Sequence, residues 1–259
     1  MRSLNSENRE LWDEWSDEHQ AMWNGATDNG RLPPTYSPLP DADSLDEWQA
    51  EGLPEVSDID FIELGCGGGQ GTVGAAQDGV QTAIGVDFST QQLRHARRLR
   101  NLYGVDAEFV AGDVSTIPVS DDAFDLAHSG FVYFMVADLD AAFREAHRVL
   151  RAGGHLSFDV PHPVHELFDP ATLEFERSYH DTGTRRDKHD EVLHEDIIVM
   201  DRTISDLHNA LVDAGFTVTE MWEWPHSDDP DDYEDTDMSS SPALKAKVPR
   251  TLGFRAVAE

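Results

Sequence analysis

From about residue 58 onward, apolar positions recur in two alternating rhythms. Short, largely apolar runs read as buried strands: "DIDFIEL" (58–64), "TAIGVD" (82–87), "AEFVAGD" (107–113), "FDLAHS" (124–129) and "HLSFDVP" (155–161). Helical spacing returns between them. Over 138–150, Leu139, Ala142, Phe143, Ala146, Val149 and Leu150 share one helix face, and "RAGG" offers glycine to cap and end it. Over 203–214, Ile204, Leu207, Leu211 and Ala214 keep step, with Gly215 as the stop. "TVTEMWEW" and "TLGFRAVA" read as two closing strands. Strands separated by helices of this length need crossover connections, so the pattern predicts an α/β domain on a mostly parallel sheet.

The flanks depart from this rhythm. Residues 1–57 are polar, with Trp12, Trp15 and Trp23 near one helix face and Trp48 beyond, and the four prolines of "NGRLPPTYSPLPDADS" break any helix there. This segment is expected to form a helical cap, with Trp12, Trp15 and His19 as a lid. The core follows over 58–160. Residues 161–200 lose the pattern and mix histidines with acids and aromatics, which predicts an insertion covering one edge of the sheet near an acceptor site. Residues 201–259 complete the same domain with a helix and the closing strand pair.

Charge changes the picture of the surface. Against 51 acids stand only 19 bases, a net charge of −32, and Lys188, Lys245 and Lys247 are the only lysines. The acids lie in every segment, with a dense run at 227–237, "SDDPDDYEDTD". An acidic interaction module would gather them in blocks. Acids on every exposed face instead point to a high-salt cytoplasm, as in a halophilic archaeon, where molar salt shortens the Debye length to about 3 Å and self-repulsion is mild. The N-terminus has no apolar leader and no run approaches ~18 apolar residues, so a cytoplasmic protein without membrane partners is expected. Cys66 is the single cysteine, which excludes internal disulfides and thiolate metal cages.

The chemistry gathers at "FIELGCGGGQGT" (61–72), with five glycines in seven residues directly after a strand. Gly65, Gly67 and Gly69 form Gly-x-Gly-x-Gly; the third position of a dinucleotide fingerprint is Gln70, and no lysine follows as a phosphate loop requires. Ligands of open parallel sheets bind beyond the carboxyl ends of the strands, where three acids sit here. Asp87 can accept two ribose hydroxyls and Asp113 an exocyclic adenine amine. Glu63 would repel a pyrophosphate but suits a ligand with a cationic middle and an ammonium end, as in S-adenosylmethionine.

On these residues the chain resembles class I S-adenosylmethionine-dependent methyltransferases of the type 11-like, small-molecule group. "IELGCGGGQGT", "GVDFSTQQLRHAR", "FVAGDVSTIPVSDDAFDLAHS" and "EAHRVLRAGGHLSFDVPHP" match its motifs in order over about 60–165, and "SDLHNALVDAGF" resembles its later helix. The resemblance implies a Rossmann-like, mostly parallel seven-stranded sheet flanked by helices, and S-adenosyl-L-methionine as cofactor. It implies that Gly65, Cys66, Gly67 and Gly69 approach the methionine portion while Glu63 helps hold its amino group. Asp87 would take the ribose, Phe88 and Val114 flank the adenine, Asp113 bind its amine, and His128 and Ser129 lie where sulfonium and acceptor meet. Cys66 is expected to be only a small packing residue.

Displacement at a sulfonium needs positioning first, and a base only when the acceptor arrives protonated. His128 and His162 are the catalytic candidates, with His165, His194, Glu166 and Glu195 as further bases. His162 also reads as a turn histidine between two prolines. His162, His165 and Glu166 lack metal-ligand spacing, so no metal is expected. "AHSGF" is not the signature of amino-methylating DNA enzymes, and no basic stripe appears, so a small-molecule acceptor is expected and nucleic acid is not. Two other readings stay open: a non-catalytic S-adenosylmethionine- or S-adenosylhomocysteine-binding protein, and a nicotinamide oxidoreductase, which Gln70 and Glu63 oppose. Acceptor identity and oligomeric state are not encoded legibly.

Overall fold

The structure, a computed structural model, describes residues 4–25, 35–41, 44–169, 172–187, 197–224, 244 and 247–259. The acidic run 227–237, His194, Glu195 and part of the proline-rich segment lie outside the described residues.

Seven strands form one sheet. They are β1 (Asp60–Leu64), β2 (Thr82–Asp87), β3 (Glu108–Ala111), β4 (Phe124–Gly130), β5 (Leu150–Pro161), β8 (Phe216–Trp224) and β9 (Thr251–Ala258). Their order is β3-β2-β1-β4-β5-β9-β8. The first five pair in parallel, and β9 and β8 close the sheet antiparallel. The expected mostly parallel seven-stranded sheet is therefore what forms.

Helices α3 (Gln70–Asp78), α4 (Thr90–Tyr103), α5 (Leu139–Val149) and α6 (Ile204–Asp213) flank it. Their starts are set by short-range chemistry. Asp138 accepts Ala141 N at 2.9 Å at the head of α5, Ser89 accepts Gln92 N at 3.1 Å at the head of α4, and Thr203 with Asp206 forms a capping box before α6. The apolar face of α5 packs on the sheet through Phe143 against Tyr133 and Phe158, with ring centroids 4.7 and 5.4 Å away, in a fully buried core.

One expectation needs correction. "RAGG" does not cap a helix: α5 ends at Val149 and Leu150 passes directly into β5. Gly153 supplies a left-handed φ of +82° inside that strand, where the β4–β5 register shifts between Phe124 and Leu126. The insertion, expected at an edge of the sheet, is described only in part. Its described part contains an antiparallel ribbon, β6 (Gly183–Asp187) and β7 (Ile197–Asp201). Ile197 and Val199 of β7 pack on Leu11, beside Trp12, Phe134 and Met135.

Leu11 belongs to α1 (Leu4–Gly25), which lies across the carboxyl ends of the strands; a short α2 (Leu45–Ala50) follows. Asn8 uses its amide like a strand residue, donating to Ile198 O (2.9 Å) and accepting Ile198 N (3.1 Å). Asp13 accepts Ser89 Oγ at 2.7 Å, and Gln20 links Gln92 (2.9 Å) with Gln70 (2.6 Å). These polar bonds tie α1 to the first turns of α4 and α3. No helix among the described residues is long and apolar enough to cross a membrane.

Candidate functional site

Strand register decides which side chains meet. Gly85, Glu63, His128, Ser157, Arg255 and Glu220 are successive partners across β2, β1, β4, β5, β9 and β8, so they share one face of the sheet. Above the carboxyl end of this row lies a cavity of about 2020 Å³, roofed in part by Trp12, Trp15 and His19 of α1. Drug-sized ligands occupy pockets of about 300–1,000 Å³, so there is room for two molecules.

One half of the cavity is built on β1, β2 and β3. Gly67 has φ +50° and nothing within 4 Å of where a Cβ would stand, so its bare backbone faces open space. Its N–H donates to Asp87 Oδ2 at 2.8 Å, and Ser89 N donates to Asp87 Oδ1 at 2.7 Å. Each carboxylate oxygen keeps a second acceptor position for a ligand. Burial raises Asp87 to about 6, against the pull of these two amides. Burial raises Glu63 to about 7, although Thr72 N (2.6 Å), the Thr72 hydroxyl and the Tyr36 hydroxyl (2.8 Å) all donate to it. Asp113 accepts Ser115 N on Oδ1 and Asn5 Nδ2 on Oδ2, both at 2.8 Å.

The other half is built on β4, β5 and β9, with His128, Gly130, Asp159 and Trp222 in the wall. Burial lowers His128 to about 4, and its Nδ1 has no hydrogen-bond partner. It is therefore neutral at neutral pH. Asp159 is raised to about 6 by burial, against the Phe131 backbone N–H, and its Oδ1 is also unpartnered.

The structure brings Glu63, Gly65, Cys66, Gly67, Asp87, Phe88, Asp113, Val114 and His128 together around this cavity. It turns three expected residues away. Ser129, one position past His128, points to the opposite face of the sheet and donates to Leu64 O at 2.8 Å. Gly69 heads α3, where a Cβ would strike Ala96 and Phe109 at 2.8 Å; it allows close packing and does not line the site. His162 is buried, bonds Glu223 at 2.9 Å through Nε2 and accepts Val164 N on Nδ1 at 3.1 Å. Its neighbour His165 lines the cavity instead.

Asn5, Gln20, Tyr36, Asp159 and Trp222 were not anticipated from the sequence. Asp159 carried a usable signal, a lone acid near the carboxyl end of an apolar strand. The three cap residues carried none, because their partners lie far along the chain. Gln20 sits so close to the glycine loop that a Cβ on Gly68 would meet it at 2.3 Å.

The sheet order, the glycine turn after β1 and the acids ending β2 and following β3 together give a Rossmann-like arrangement. Residues 62–158 match the family model of a methyltransferase domain. Over 110 residues the chain is 42% identical to the demethylmenaquinone methyltransferase of Roseiflexus castenholzii, covering 41% of this chain and 44% of that one. Over 142 residues it is 28% identical to the fatty-acid O-methyltransferase of Mycolicibacterium smegmatis, covering 52% and 51%. The chain spans about a third to a half of the length of the curated relatives it matches. Among solved structures, an S-adenosylmethionine-dependent methyltransferase from Mesorhizobium loti superposes with a TM-score of 0.63 at 27% identity, over 83% of this chain and 98% of that one. The cofactor that such a domain and its structural neighbours imply is S-adenosylmethionine.

Proposed function

We propose that this chain is an S-adenosylmethionine-dependent methyltransferase acting on a small-molecule acceptor. The observation that carries the reading is the joint placement of the Gly67 backbone, Asp87 and Asp113 on one cavity. In this reading Asp87 holds the ribose hydroxyls through its free acceptor positions, and Asp113 takes the adenine amine. Phe88 and Val114 flank the base, and Gly65 and Gly67 admit the methionine portion beside Glu63. When bound, the cofactor supplies an electrophilic methyl group. The chain's own work is to hold, orient and desolvate, which can contribute about 7–11 kcal/mol when two reactants are aligned.

Glu63 bonds Tyr36 and Thr72, so its share in holding the methionine amine is indirect: it fixes the start of α3 and ties the cap to the loop. In this reading the described part of residues 1–57 caps the cofactor and the described part of the 161–200 insertion walls the acceptor side. A cavity with room for two ligands supports transfer over cofactor binding alone, and the likeness to a demethylmenaquinone methyltransferase supports a small metabolite as acceptor. The net charge of −32 supports a high-salt cytoplasm and argues against nucleic acid as substrate.

The test is calorimetric titration of the full chain with S-adenosylhomocysteine and, separately, with NADH in molar KCl. Micromolar binding of the first and none of the second is expected. A preference for NADH, or no binding of the first by folded protein, overturns the reading.

A further inference from the structure

We propose that the carboxyl ends of β4, β5 and β8, with the amino end of β9 between the last two, form a cation site, in which the Asp159 carboxylate, between Tyr36 and Trp222, takes the ammonium group of an amine-bearing acceptor. That the ligand is the acceptor rests on the methyltransferase reading; that a cation binds does not.

Gly130, Asp159, Gly253 and Trp222 are successive partners across β4, β5, β9 and β8. Both strand neighbours of Asp159 are glycines, so the carboxylate stands clear of side chains in its own row. The space above each glycine is filled from elsewhere. The Trp222 indole lies on Gly253, where a Cβ would come within 2.0 Å of Cε2. Over Gly130, the Tyr36 hydroxyl and His128 Nε2 lie 3.5 and 3.6 Å from the position of a Cβ. An anion thus sits between two aromatic side chains, an arrangement that favours an organic cation.

Apart from the Phe131 backbone N–H, no described residue compensates the charge. Asp159 Oδ1 is buried and unpartnered, and no arginine or lysine among the described residues pairs with it. The arginines nearby have other work: Arg177 and Arg185 pair with Asp201, and Arg202 donates to the carbonyls of Tyr133 and Val136. His128 is held neutral by its burial. A carboxylate with one oxygen buried and no counter-charge is costly to leave as it is. A hydroxyl could donate to it without cancelling the charge, whereas an ammonium does both.

The experiment is calorimetric titration of the full chain in molar KCl at about pH 8, above the value near 6 of Asp159. Benzylamine is compared with benzyl alcohol, each with and without saturating S-adenosylhomocysteine. Benzylamine is expected to bind at least about tenfold more tightly. Asp159→Asn should erase that preference with S-adenosylhomocysteine affinity retained and the melting temperature at pH 8 not lowered. Trp222→Leu should weaken benzylamine several-fold while keeping the preference. Equal binding of both probes, or a preference that survives Asp159→Asn, overturns the site. If S-adenosylhomocysteine does not bind yet the Asp159-dependent preference is seen, the methyltransferase reading fails and the cation site stands.

Discussion

The two halves of the cavity treat their polar groups in opposite ways. Around β1–β3, Glu63, Asp87 and Asp113 all accept hydrogen bonds from within the chain. Around β4, β5 and β9, Asp159 Oδ1 and His128 Nδ1 are buried without partners, as is His165 Nε2. The first half is preorganised: its carboxylates are fixed by backbone amides and keep spare acceptor positions for a nucleoside. The second half carries unmet polar groups, which are few in folded proteins and each call for an explanation, a bound ligand being one. On the proposed reading, one half is ready before its ligand comes and the other is completed by its ligand.

The sharpest way to break this contrast is to remove a preorganised acid. Asp87→Ala should weaken S-adenosylhomocysteine binding roughly a thousandfold, about 4 kcal/mol, since each hydrogen bond to a charged group contributes about 1.5–3 kcal/mol. Calorimetry on folded variant reads it, and a loss under about tenfold would place the ribose elsewhere.

Next comes Glu63. Its folded pKa, about 7, lies above its ordinary 4.5. Such a group contributes stability fully below about 4.5, and that contribution is lost as pH rises through about 7. The ligand-free protein should therefore lose up to about 3 kcal/mol from this group between those values. Asp87 and Asp159 act in the same direction at lower pH. Glu63→Gln should flatten the upper part of a plot of melting temperature against pH; identical slopes would mean that Glu63 is not ionising in a buried site.

Smaller still is Tyr36→Phe, which removes one donor to Glu63 and should cost about 1–2 kcal/mol in unfolding free energy and lessen protection of the cap. The smallest effect belongs to His162. Because it faces Glu223, His162→Gln should leave S-adenosylhomocysteine affinity within about twofold. A larger loss would mean that β8 reaches the cofactor half.

The sequence made these halves unequally legible. β2 and β9 form over the predicted residues because both are bounded, apolar and buried. The cofactor acids stand at strand ends, so local pattern alone located Glu63, Asp87 and Asp113. Ser129 was misplaced because adjacent strand residues face opposite sides, and the fourth-strand motif does not say which side is the site. "GTRRD" is too polar to announce a strand, yet it pairs with β7. Tyr36, Asn5 and Gln20 enter through contacts with distant segments that no local pattern encodes. Asp159 is marked in the sequence as a lone acid near a strand end, but its clear row between Gly130 and Gly253 is set only by the register.

On the proposed reading, S-adenosylmethionine occupies the preorganised half, beneath α1. Amide hydrogen exchange with and without S-adenosylhomocysteine tests it most directly. The account predicts added protection at 65–72, 87–89 and 112–115 and along α1, with α6 unchanged. Protection absent from 65–72 and 87–89, in protein that binds the ligand, would contradict it.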